Sequence, residues 1–181
     1  MIYFIRHGES EANMRHVFAG QKDNSPLTQK GEDQAKAEGQ KIKELGITID
    51  RVISSPLIRA KDTAQIVVDM IGYTKEIALD PRIMEYDMGT LTGTPMHNIS
   101  SKQMISAKGA EDPMDFCTRV KSFLDEWKAK DENILMVCHA GVGRMIESIK
   151  TDTDPALFYD FPPSPNASVI KLDWLNLTKD V

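Results

Sequence analysis

Four short segments of this chain carry side chains suited to handling an anionic group. Arg6-His7-Gly8 sets a guanidinium and an imidazole beside a glycine, and Ser54-Ser55-Pro56 leads to Arg59. His139-Ala140-Gly141 supplies a second imidazole, and Glu85 stands within Met84-Glu85-Tyr86-Asp87-Met88-Gly89. Two guanidinium forks and two imidazoles in one place are costly unless an anion sits among them, and a phosphoryl group has the charge and oxygen count to fit. A neutral histidine is a competent nucleophile toward phosphorus. Flanking arginines disfavour the imidazolium by like-charge repulsion, while a bound dianion pushes the other way. The second histidine and the arginines would spread the charge that builds on the equatorial oxygens in an in-line displacement. The leaving alkoxide then needs a proton donor, for which Glu85 and Asp87 are rivals that spacing does not separate. Gly8 allows a tight turn beside the anion, and Ser10 and Asn13 offer short polar side chains within one turn of it.

The elements that must bring these segments together are legible in the apolar pattern. Met1 to Ile5 and Ile134 to Cys138 are continuous apolar runs bounded by polar turns, the pattern of strands buried on both faces of a parallel sheet. Arg51 to Ser54 is a weaker strand, and Glu76 to Leu79 and Ser168 to Asp173 are short further ones. Leu57, Ala60, Ala64, Val67 and Ile71 repeat at helical spacing behind a Ser55 cap and a first-turn Pro56. A helix from about Thr28 to Leu45 turns Leu27, Gly31, Ala35, Ile42 and Leu45 inward. Another uses Phe116, Val120, Phe123 and Trp127, and one after Gly141 uses Val142, Met145, Ile146 and Ile149. The expected fold is α/β, a three-layer sandwich with helices around a mostly parallel sheet. Ligands gather outside the carboxyl ends of strands in such sheets, and that rim is where Arg6, His7, Arg59 and His139 fall.

Composition bounds the rest. The 181 residues are 41% hydrophobic and 27% charged with a net charge of −5, an ordinary globular balance without repeats or linkers, so a single domain over residues 1–181 is expected. Such a chain buries roughly 70% of its unfolded surface without disulfides or structural metal. Its apolar runs are too short for a membrane span or a signal-peptide core. Cys117 and Cys138 form no C-x-x-C pair, and a reducing cytoplasm fits them best. The acidic balance, with no cluster of Lys and Arg, argues against nucleic acid or anionic membrane as partner and for a small ligand.

Ile5-Arg6-His7-Gly8-Glu9-Ser10 with Asn13, Phe18-Ala19-Gly20, Leu27-Thr28 with Gly31 and Gln34-Ala35, and Ser54-Ser55-Pro56-Leu57 with Arg59-Ala60 and Thr63-Ala64 together resemble the histidine phosphatase superfamily, the phosphoglycerate mutase-like proteins. The resemblance continues through Glu85 with Gly89 and Gly93, Gly109-Ala110-Glu111 before Asp115 and Arg119-Val120, Cys138-His139-Ala140-Gly141 with Arg144, and Asn166-Ala167-Ser168. It implies that His7 becomes phosphorylated, that Arg6, Arg59 and His139 hold the phosphoryl group, and that Glu85 serves as acid and then as base. Asn13, Gly20, Ala140 and Asn166 match phosphate or substrate contacts of the family. No metal or organic cofactor is implied. Gln21, Thr92 and Ala140 depart from the residues usual at their positions, which bears on pocket shape.

Mutases of this family look longer and place several basic residues after the acid-bearing segment, whereas Tyr86 to Ala107 holds only His97 and Lys102. A lid at about 94–108 is short, and a phosphohistidine that water reaches is hydrolysed. The expected activity is therefore a metal-independent phosphomonoester hydrolase acting on a small phosphorylated metabolite and releasing phosphate, similar to α-ribazole phosphatase and the broad-specificity phosphatases. Phosphoglycerate mutase and protein phosphohistidine phosphatase are the alternatives. A non-catalytic phospholigand module would be expected to lack His7, Glu85 or His139. His16 and His97 read as loop histidines, Cys138 as a small buried hydrophobe, and Asp152-Thr153-Asp154 as a cap rather than a calcium loop.

Overall fold

A computed structural model of the chain describes residues 1–97 and 99–172. Five strands form one sheet in the order β3-β2-β4-β1-β5: β1 (Ile2–Arg6), β2 (Arg51–Ser54), β3 (Ala78–Leu79), β4 (Ile134–Cys138) and β5 (Val169–Leu172). The first four lie parallel, while β5 runs antiparallel along β1 with Ile5 opposite Val169. Each strand sits within two residues of its expected position. Asp173, the end of the expected last strand, lies outside the described residues, as does Asn98 in the expected lid.

Alternation along the strands splits the core in two. Ile2, Phe4, Ile134, Met136 and Cys138 face α5 (Pro113–Lys128) and α6 (Ala140–Lys150), where Phe116, Val120, Phe123 and Met145 meet them. Ile5, Val52, Leu135 and Val137 face α2 (Gln29–Glu44) and α3 (Ile58–Ile71) through Ala35, Ile42, Ala64 and Val67. Helices thus cover both faces, and each fully buried Phe, Ile or Leu contributes about 1.5–3 kcal/mol. Two short helices, α1 (Glu11–Met14) and α4 (Ser101–Ile105), lie in connecting segments. Among the described residues no helix is long and apolar enough to cross a membrane.

Several boundaries differ from the sequence reading for local reasons. Leu57, not Ser55, is the extended residue before α3; the Ser55 hydroxyl accepts the Leu57 N–H at 3.3 Å, so Pro56 precedes the helix instead of opening it. Helix α6 begins at Ala140, directly after His139, one residue ahead of Gly141. Leu45 caps the end of α2 and is 61% exposed, having turned off the inner face. Buried Glu38 of α2 takes up an unexpected task, accepting the Val169 N–H at 2.7 Å where β5 begins. Asp154 accepts the Ala156 N–H at 2.9 Å and caps the 3-10 turn at Pro155–Asp160.

Candidate active site

The carboxyl ends of β1, β4 and β2 lie side by side, and the chain leaving each is tied to its neighbour. The His7 N–H donates to Cys138 O and the Ser55 N–H to Val137 O, both at 2.9 Å. His7 and His139 therefore stand with ring centroids 5.2 Å apart. A cleft of about 170 Å³ opens above them, lined in part by Arg6, His7, Asn13, Gly20, Arg59, Glu85 and Ala140.

His7 is 3% exposed, and its Nδ1 lies 2.7 Å from the Gly8 carbonyl. A carbonyl oxygen only accepts, so Nδ1 carries the ring proton and Nε2 presents a lone pair, toward which Arg59 Nε donates at 3.3 Å. Burial pushes the His7 pKa well below the usual 6.5, and the Arg59 and Arg6 charges push the same way against the Gly8 hydrogen bond. Arg59 is itself 1% exposed, with its guanidinium held by the carbonyls of Gly20 at 2.8 Å and Asp23 at 3.0 Å. Gly20 sits at φ +54°, a left-handed turn that aims its carbonyl at Arg59. Arg6 donates to the Ser164 carbonyl at 2.8 Å. Burial lowers the proton affinity of both arginines, and the Glu85 charge opposes it.

His139 is fully buried beneath the cleft and does not line it. Its Nε2 lies 2.7 Å from Ser55 Oγ, and its Nδ1 has no hydrogen-bond partner. Burial is again the first cause holding its pKa well below 6.5, followed by the Arg59 charge. Burial likewise pushes the adjacent Cys138 thiol well up, leaving it an inert apolar neighbour.

Glu85 and Asp87 separate clearly in space. Glu85 lines the cleft at 8% exposure and accepts the Tyr86 N–H at 2.9 Å and the Gly141 N–H, in the first turn of α6, at 3.2 Å. Asp87 is turned to the Gly89 N–H and to Lys22, off the cleft. The Glu85 segment is fixed from behind by Arg119, which makes a two-pronged pair with Glu111 and donates to the carbonyls of Arg82, Met84 and Glu85. Gln21, where the family often has tryptophan, donates to the same Glu85 carbonyl at 2.8 Å.

Three expected contacts lie behind the wall of the cleft instead. The Gly8 N–H donates to Thr63 Oγ1 at 3.0 Å, and a Cβ on Gly8 would stand 2.3 Å from the Gly31 carbonyl, so this glycine serves the close approach of α2. The Ser10 hydroxyl is fully buried and accepts the Asn13 N–H at the head of α1. Asn166 Nδ2 donates to the His7 carbonyl at 2.8 Å and steadies the loop. The sequence reading, for its part, gave no site role to the cleft-lining Phe18, Met88, Met96, Arg144, Tyr159 and Pro163. Arg144 carried a signal, its place after His139 in a recognised motif; Tyr159 and Pro163 carried none. Among the described residues, no group of three or more His, Cys, Asp and Glu converges as a metal site would.

The model of the histidine phosphatase superfamily (branch 1) matches residues 2–180. The chain belongs to this superfamily. Its resemblance extends to a probable phosphoglycerate mutase, GpmB, of Erwinia tasmaniensis, at 41% identity over 102 residues, 56% of this chain and 45% of that protein. The chain thus spans about half the length of the curated relatives it matches. Among solved structures, YhfR of Bacillus stearothermophilus superposes with a TM-score of 0.80 at 25% identity, covering 96% of this chain and 91% of its own. A mycobacterial glucosyl-3-phosphoglycerate phosphatase shares the fold with a TM-score of 0.76 at 21% identity, over 93% of this chain and 88% of that one. The superfamily's enzymes are phosphatases or mutases.

Proposed function

We propose that the protein is a phosphomonoester hydrolase that acts on a small phosphorylated metabolite through a phosphohistidine at His7. The observation that carries this reading is the pairing, in one cleft, of an imidazole whose Nε2 presents its lone pair beside the Arg59 guanidinium and a buried carboxyl, Glu85. His7 Nε2 attacks phosphorus, the N–P bond forms, and the ester P–O bond breaks. Glu85 gives its proton to the leaving oxygen, and an alcohol departs. Water then attacks phosphorus while the Glu85 carboxylate takes its proton. The N–P electron pair returns to Nε2, and inorganic phosphate leaves. Arg6 and Arg59 balance the charge on the phosphoryl oxygens, with the neutral His139 ring beneath them and the N–H groups at the head of α6 beside them. No step calls for a metal or an organic cofactor.

Residues 94–108 act in this reading as a short lid, of whose described residues Met96 alone lines the cleft. Its α4 is anchored away from the chemistry by buried Met104 and by the hydroxyl of Ser101 on Asp160. So small a cover leaves water a route to the phosphohistidine, which favours hydrolysis over a second transfer. The 41% identity to a probable phosphoglycerate mutase favours mutase as the second reading.

Phosphate release from a panel of phosphomonoesters in the presence of EDTA separates them, with isomerisation of 3-phosphoglycerate followed in parallel. Phosphate released from one or a few esters, and its loss in His7→Ala, is the expected result. Isomerisation with little phosphate would establish the mutase, and full activity in His7→Ala would remove the nucleophile assignment.

A further inference from the structure

We infer that Ser55 is a positioning residue: its hydroxyl donates to His139 Nε2, puts the ring proton on Nδ1, and makes the second histidine a neutral N–H donor to the phosphoryl group. The inference deepens the phosphomonoesterase reading and rests on it for what occupies the phosphoryl position. Ser55 follows the last residue of β2 and is fully buried, and its N–H donates to Val137 O at 2.9 Å, so strand pairing sets its place beside the end of β4. Its hydroxyl oxygen accepts the Leu57 N–H at 3.3 Å and lies 2.7 Å from His139 Nε2. The hydroxyl makes no other hydrogen bond among the described residues.

Two protonation patterns fit that pair, and their unmet partners separate them. A hydroxyl carries one hydrogen and two lone pairs. With the Leu57 N–H on one lone pair, the hydrogen is free to point at Nε2, and the ring proton then stands on Nδ1. The reverse pattern, with Nε2–H donating to Ser55, would leave the buried hydroxyl hydrogen without an acceptor and Nδ1 with a lone pair that no donor meets. Two buried groups would go unsatisfied instead of one, which is the costlier arrangement. Protonation of both nitrogens is opposed by burial and by the Arg59, Arg119 and Arg6 charges around the ring. What survives is a neutral ring with one N–H, at Nδ1, that finds no partner within the described residues. Arg6 Nε, also buried, is in the same position. Two donors left open beside His7 and Arg59 call for an acceptor from outside the chain, and a phosphoryl oxygen supplies it. A neutral imidazole is a poor acid, so His139 binds that oxygen without competing with Glu85 to protonate the leaving group.

The tautomer can be read without any substrate. In ¹⁵N-labelled protein at neutral pH, a long-range ¹H–¹⁵N correlation spectrum, with His139 assigned by its absence in His139→Asn, should place Nδ1 in the pyrrole-type range and Nε2 in the pyridine-type range. The opposite placement, or protons on both nitrogens, would overturn the inference, and the parent spectrum alone decides this. Ser55→Ala should mix the two tautomers and draw the two His139 shifts together, while kcat falls about tenfold or more and KM changes by less than about threefold. Ser55→Thr, which keeps the hydroxyl, should restore the single tautomer and most of kcat. A lower unfolding midpoint in Ser55→Ala with His139 shifts unchanged would leave Ser55 a packing residue and remove its positioning role. Saturating inorganic phosphate should move the Nδ1 proton downfield, and a proton that stays in place would take the phosphoryl oxygen off this donor. Failure of the parent to release phosphate from any ester would end the hydrolase reading and leave the tautomer standing.

Discussion

The Gly8 carbonyl, by holding the Nδ1 proton of His7, leaves this imidazole a single lone pair to offer, and burial beside Arg59 keeps it unprotonated. His139 is held neutral for the same two reasons. In the unfolded chain both rings take up protons near pH 6.5, whereas in the fold they do so only at lower pH. The contribution to stability is therefore complete above about pH 6.5 and is lost as pH falls below it, with a slope of up to about 1.4 kcal/mol per pH unit for each ring. Urea unfolding from pH 7.5 to 5 should show a shallower decline in His139→Asn than in the parent; equal slopes would contradict a neutral buried ring. Glu85 is tested through its leaving group. Glu85→Gln should slow alkyl phosphates by about 10²-fold or more and nitrophenyl phosphate far less, because nitrophenolate needs no proton. Uniform slowing across both esters would count against an acid role. Of this residue-scale picture, the sequence conveyed that Arg6, His7, Arg59 and Glu85 meet at one cleft, because type and motif single them out. That Gly8, Ser10 and Asn166 support the wall rather than face the cleft depended on which neighbour each backbone group finds, and no local pattern encodes that.

Two close approaches between elements set how accurately the groups are held. A Cβ on Gly141 would fall 2.1 Å from Glu85 Oε1, so the start of α6 and the acid-bearing segment meet only because that position has no side chain. Gly141→Ala should displace the Glu85 carboxylate and lower kcat at least tenfold with a modest change in unfolding midpoint; unchanged kcat would mean that the carboxylate does not work from where it lies. At the other approach, Gly31 of α2 stands against Glu9, where a Cβ would be 2.0 Å from the carbonyl oxygen. The apolar stripes of α2, α3, α5 and α6 were readable because burial on one face imposes a 3.6-residue period. The Arg119 clamp was not. It joins carbonyls 34 to 37 residues away in a segment with no period of its own, and only the packed structure names its partners.

Across the whole molecule, a net charge of −5 surrounds a cleft lined by three arginines and a single acidic residue. An anion that fills the cleft should therefore stabilise the fold. Inorganic phosphate at about one hundred times its Kd should add about 2.7 kcal/mol, read as a rise in melting temperature at constant ionic strength. Arg59→Met should lose most of that rise whatever its own baseline, and a rise of equal size in the variant would place the anion elsewhere. The parallel sheet and its two covered faces were legible from short apolar runs alternating with helical stripes. The reversed direction of β5 was not, because a four-residue strand reads the same in either sense. That last strand has a bearing on synthesis. Asn166 and Ala167 bind the His7 and Arg6 carbonyls, and β5 then closes along β1, so the first strand of the sheet is completed by one of the last stretches described. A nascent chain that has emerged from the ribosome only as far as residue 150 already carries Arg6, His7, Arg59, Glu85 and His139, yet the loop bearing His7 still lacks its fastening. The fastening of the loop that bears His7 thus waits until translation has passed β5.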